Sequence, residues 1–111
     1  MKHDINKDEV LCCDLYTGKC FYSNILKLDR AMNYVNRDIL IHGICPLSNL
    51  YFYLGKEDLD VGSMVVWTTK EYDQSKDGLY IIYRYEKSKD GSLVLIFSYS
   101  VDPVCIFDLE V

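Results

Sequence analysis

A chain of 111 residues and 12.9 kDa is long enough to bury one core and too short for two. Hydrophobic residues make up 50% and charged residues 26%, which excludes a disordered chain. A formal net charge of -5 argues against a general nucleic-acid binder, since phosphate neutralisation needs clustered Lys and Arg, and no apolar run approaches the ~18 residues of a membrane span.

Residues 1–8 are polar and without periodicity, so they read as a flexible N-terminal arm ahead of a single α+β domain over residues 9–111. The opening MKHDINKDEV has no signal-peptide pattern, and the five cysteines, Cys12, Cys13, Cys20, Cys45 and Cys105, are odd in number with two adjacent. Both observations predict a reducing cytoplasm and no disulfide framework, with free Cys acting as a small hydrophobe.

Residues 10–22 give two β-prone pieces around Thr17-Gly18-Lys19, a hairpin whose turn uses Gly18. Ser23 or Asn24 can then cap a helix in which Ile25, Leu28, Met32, Val35 and Ile39 recur at helical spacing with Ala31 beside them. The opposite face carries Lys27, Asp29, Arg30, Asn33, Asn36 and Arg37, a solvated face unless one of the Asn side chains bonds to backbone or ligand. Gly43 marks its end. Pro46 starts a second, short helix with Leu47, Leu50 and Leu54 on one side, closed by Gly55, and Tyr51, Phe52 and Tyr53 give it aromatic area for packing.

An acidic loop with Glu57, Asp58 and Asp60 follows. Residues 64–69, 79–86, 93–100 and 104–109 read as strands, with turns at Asp77-Gly78 and Asp90-Gly91. Pro103 places the last strand on an edge or after a sharp turn. The expected architecture is therefore α+β: an N-terminal hairpin, one amphipathic helix and a short second helix packed on an antiparallel meander sheet. Leu79, Ile81, Tyr83 and Tyr85 share one face of their strand, yet Tyr80 and Ile82 on the other are also apolar. Such a sheet either curls into a partial barrel or offers a surface to a partner.

No metal site or cofactor is expected, because Cys12, Cys13 and Cys20 lack C-x-x-C spacing and His3 and His42 stand apart. Cys45, near His42 and the start of the second helix, is the one local pair for a thiol nucleophile, against the plainer reading of a buried Cys and a helix-end His. Glu71 and Asp73 read as a solvated turn, and the glycines fall singly at element boundaries. No catalytic constellation emerges. Ten tyrosines, Trp67 and four Phe are the one compositional excess, assigned first to the core and second to protein recognition.

Tyr16, Phe21, Arg30-Ala31, Asn36-Arg37, Gly43, Leu47-Ser48-Asn49-Leu50-Tyr51, Leu54-Gly55, Gly62 and Trp67 follow one another in an order that resembles an uncharacterised family of small phage and prophage domains of Gram-positive bacteria. Its pattern is L-N-x-F-Y-x-x-L-G with a downstream G-W; here Ser48-Asn49 stands for Leu-Asn, Leu50 for Phe and Val66-Trp67 for Gly-Trp. The resemblance implies a phage or mobile-element origin and brings no activity with it. Together with charge and size it leads to an expected role as a non-catalytic, acidic protein-recognition module in the host cytoplasm, such as an inhibitor of a host defence protein. Asn33, Asn36, Arg37, Glu57, Asp58, Asp60 and Tyr80 are the expected interaction residues. The expected partner is a protein, not nucleic acid or membrane, and homo-oligomerisation is compatible with the chain. The alternatives are a virion or phage-assembly component and a cysteine-dependent enzyme.

Overall fold

The computed structural model describes residues 8–109, so the expected N-terminal arm, Asp8 excepted, lies outside the described residues. The fold is α+β. Strands β1 (Val10–Asp14) and β2 (Cys20–Ser23) form the expected hairpin, its turn closed by the Asp14 N–H to the Lys19 carbonyl at 2.9 Å and the Gly18 N–H to the Asp14 carbonyl at 2.8 Å. Helix α1 (Ile25–His42) is capped by Asn24, whose Oδ1 accepts the Lys27 N–H at 2.8 Å. It stops at Gly43, where φ is +81°, a left-handed conformation that side chains with a Cβ adopt at a cost. Leu28, Ala31, Met32, Val35 and Ile39 form its buried stripe.

Strand β3 (Ile44–Pro46) leads directly into α2 (Leu47–Tyr53), with Pro46 as its N-cap. After β4 (Val65–Thr68) comes α3 (Thr69–Gln74), where Glu71 and Asp73 alone predict a solvated turn. Thr68 and Glu71 form a capping box: the Thr68 hydroxyl oxygen accepts from the Lys70 N–H, and buried Glu71 accepts the Thr68 N–H at 2.7 Å and the Thr68 hydroxyl at 2.8 Å. Strands β5 (Ile81–Lys87), β6 (Leu93–Tyr99) and β7 (Val104–Cys105) and a closing 3-10 turn complete the described chain.

Back-half pairing is antiparallel, β5 with β6 and β4 with β7, but it is divided between two sheets instead of running as one meander. The four-stranded sheet has the order β2-β1-β6-β5, with β1 inserted parallel to β6, and the three-stranded sheet has the order β3-β4-β7. Buried Pro103 precedes the turn of the chain into β7, which is an edge strand as its sequence suggests.

The core fills the space between α1, α2 and one face of the larger sheet. An aromatic chain connects the layers, each step edge-on: Tyr51 to Phe21 at 5.5 Å, Phe21 to Phe97 at 6.0 Å, Phe97 to Tyr99 at 6.0 Å and Tyr99 to Trp67 at 5.1 Å. Trp67 donates its indole N–H to the Val101 carbonyl at 2.8 Å, which leaves this buried ring fully satisfied and ties the smaller sheet to the larger.

Candidate recognition surface

The helices cover only one face of the four-stranded sheet. Strand alternation turns Val10, Cys12 and Asp14 of β1, Phe21 and Ser23 of β2, and Leu95, Phe97 and Tyr99 of β6 inward. The intervening residues point the other way. Register then assembles them into rows: Tyr22, Leu11 and Val94 in one, Cys20, Cys13 and Ile96 in the next, with Ile82 of β5 beside Ser98. Tyr22 is 60% exposed and Ile82 49%, while Leu11, Val94 and Ile96 are half-buried by one another. Leu15 and Tyr80, both exposed, extend the patch at the strand ends. Of the two outcomes foreseen for this sheet, an apolar face left uncovered among the described residues is the one present. At one end, where β1 and β6 begin, a shallow depression lies among Glu9, Leu11, Tyr22, Gly91 and Leu93.

Cys13 and Cys20 are directly opposed on this face and joined by a disulfide, which corrects the expectation of free thiols throughout. The cause is register. Asp14 donates its N–H to the Lys19 carbonyl across the hairpin, so the preceding pair, Cys13 and Cys20, is the closely spaced, non-hydrogen-bonded kind, with Cα atoms 4.1 Å apart. Cys12, adjacent in sequence, faces the core, where burial pushes its thiol up to about 11.

Beneath the hairpin, Asp14 is a buried carboxylate with four donors. Its Oδ2 accepts the hydroxyls of Tyr51 at 2.7 Å and Tyr99 at 2.6 Å, and its Oδ1 accepts the N–H groups of Tyr16 at 2.8 Å and Thr17 at 3.3 Å. Burial and the Asp14 charge raise both tyrosine pKa values, so both hydroxyls remain donors. This network fixes the hairpin to α2 and β6 and has no opening to solvent through Asp14 itself.

The residues expected to mediate interaction do not form one site. Asn36 is held by the backbone of Leu79, donating Nδ2–H to its carbonyl at 2.8 Å and accepting its N–H at 2.9 Å, so it ties α1 to the start of β5. Arg37 lies over the Tyr34 ring at 4.8 Å and within 3.7 Å of Asp38. Asn33 and Tyr80 line one shallow cavity together with Asp29 and Tyr83. Glu57, Asp58 and Asp60 are exposed in the loop after α2, where Asp60 accepts the Gly62 N–H at 3.0 Å.

A family model matches residues 2–108. The chain belongs to the family of unknown function DUF6353. No curated protein and no solved structure matches it.

The one thiol pair singled out in this DUF6353 chain is not arranged as an activated nucleophile. Cys45 is buried on β3 with its Sγ 3.8 Å from Asp38 Oδ2, while His42 is exposed at the end of α1. Burial, then the Asp38 charge, pushes the Cys45 thiol up to about 12, the reverse of what nucleophilic chemistry at neutral pH needs. Asp38 also accepts the Tyr53 hydroxyl. Among the described residues no group of three or more His, Cys, Asp and Glu is placed to hold a metal ion, and no helix is long and apolar enough to cross a membrane. Of the outer-face residues only Tyr80 is among the expected interaction residues, and the doubly apolar start of β5 is the sequence signal for the rest.

Proposed function

We propose that this DUF6353 domain is a non-catalytic protein-recognition module whose partner lays an apolar helical face on the outside of the four-stranded sheet. The supporting observation is the continuous surface of Leu11, Tyr22, Ile82, Val94 and Ile96, uncovered on a sheet whose other face carries helices. A helix is favoured by size: four strands at ~4.8 Å spacing make a face roughly 20 Å across, suited to one or two helices and small for a flat protein interface of ~800 Å² per side. A second helical layer completes the sandwich in which such sheets normally sit. The net charge of -5 favours a partner with basic residues flanking its apolar anchors.

The phage resemblance extends the reading: the partner is a host protein, and inhibition of a defence protein in the host cytoplasm is the role we assign. In that compartment Cys13 and Cys20 would be held as thiols, and the hairpin keeps its register through the bonds around Asp14. Capture from host lysate by the unaltered chain and by an Ile82→Lys/Ile96→Lys variant of equal helicity tests this. The partner should be retained by the first and lost from the second. Equal capture by both would remove the outer face from the proposal.

A further inference from the structure

We propose that the free edge of β5 pairs antiparallel with β5 of a second copy of this chain, across a two-fold axis at Tyr85. It uses the backbone edge of β5 and does not depend on that reading, although Arg84 and Glu86 lie on the outer face in the rows of Ile96 and Val94. Among the described residues the sheet order leaves β5 with one neighbour, β6. Backbone bonds show which of its groups are spent: the Ser100 N–H donates to the Tyr80 carbonyl at 2.9 Å, the Ser88 N–H to the Ser92 carbonyl at 2.9 Å, and the Leu15 N–H to the Phe97 carbonyl at 3.0 Å. Phe97 thus turns toward β1, and its flanking residues Ile96 and Ser98 turn toward β5, opposite Arg84 and Ile82. By alternation Ile82, Arg84 and Glu86 are committed to β6, whereas Tyr83, Tyr85 and Lys87 direct N–H and C=O away from the sheet.

Charge selects among the two-fold registers that keep this alternation. Centred on Arg84, the pairing would oppose two guanidinium groups in a closely spaced position, where like charges destabilise. Centred on Tyr83, it would oppose Ile82 to Arg84 without an ion pair and crowd the end of β5 where the Tyr83 hydroxyl reaches Asp29 on α1. Centred on Tyr85, it places Arg84 of each copy opposite Glu86 of the other, in closely spaced pairs, with Tyr85 against Tyr85 and Tyr83 against Lys87 exchanging backbone bonds. Arg84 and Glu86 are both exposed, and their ion pair at 3.4 Å is with each other, so they are available to pair across the axis. Mixed charge on an edge strand blunts indiscriminate pairing; here its order complements itself under two-fold symmetry, the form a closed dimer requires. The dimer would also carry the two outer faces on one continuous sheet.

Edge pairing buries less than a standard interface, so the dimer should be weak, forming between about 10 µM and 1 mM. Sedimentation velocity across that range tests it on the intact chain, with circular dichroism confirming the fold of each variant. Arg84→Glu alone and Glu86→Arg alone should each weaken association by about tenfold, since each opposes like charges twice. The double variant R84E/E86R should restore it. Tyr85→Pro, which removes an outward N–H that β6 does not use, should leave a folded monomer. A chain monomeric up to about 1 mM overturns the proposal, as does a dimer that the single reversals leave intact or that the double reversal fails to rescue.

Discussion

Asn36 illustrates how a polar residue on the solvent side of a helix becomes structural. Its carboxamide reads both backbone groups of Leu79, a residue 43 positions away in the chain, and so sets where β5 begins relative to α1. Asn36→Ala leaves a donor and an acceptor at Leu79 without partners, and should cost about 1–3 kcal/mol in urea unfolding. Cys45 makes a statement about pH. Its folded pKa lies near 12 against an ordinary 9.0, so between those values the folded chain keeps a proton that the unfolded chain releases. The corresponding stability is fully present below about pH 9 and is lost as pH rises toward 12. Unfolding midpoints measured in reductant from about pH 8 to 11 should therefore fall less steeply for Cys45→Ala than for the unaltered chain. Parallel slopes would show that the thiol is not held protonated by the fold.

At the scale of elements, α3 owes its existence to its cap more than to its apolar content. It has six residues, TKEYDQ, too few to hold a helix in isolation. Glu71→Ala removes half of the capping box and should destabilise the chain by about 0.5–2 kcal/mol, whereas Asp73→Ala in the same helix, exposed, should change stability by less than about 0.5 kcal/mol. The contrast explains what could be read in advance. Helix α1 announces itself because five buried residues recur at helical spacing between an Asn cap and a left-handed Gly. Helix α3 shows no such stripe, and its one signal, Thr68-x-x-Glu71, is easily taken for a polar turn. The Cys13–Cys20 bond depends on hairpin register, which is set where the Asp14 N–H meets the Lys19 carbonyl and the Gly18 N–H meets the Asp14 carbonyl, not by Cys spacing. The parallel pairing of β1 with β6 joins segments about 80 residues apart and leaves no local trace in either. The candidate surface inherits that difficulty: Leu11, Tyr22, Val94 and Ile96 become one patch only after β1 is placed between β2 and β6.

At the scale of the molecule, two layers meet through Trp67 and Tyr99, and the buried Asp14 network holds the hairpin against them. All of that ordering lies on one side of the larger sheet. The opposite side retains apolar side chains in water, which a chain of this size has little reason to keep unless a partner covers them. Two other surfaces compete for the role, the α1 face bearing Asn33 and Arg37 and the acidic loop bearing Glu57, Asp58 and Asp60. Site-specific photo-crosslinking in living cells that carry the chain separates the three most directly, with the crosslinker placed in turn at Ile82, Arg37 and Asp58. A discrete protein adduct from Ile82, absent from the other two positions, is the expected result. Adducts from Arg37 or Asp58 with none from Ile82 would contradict it.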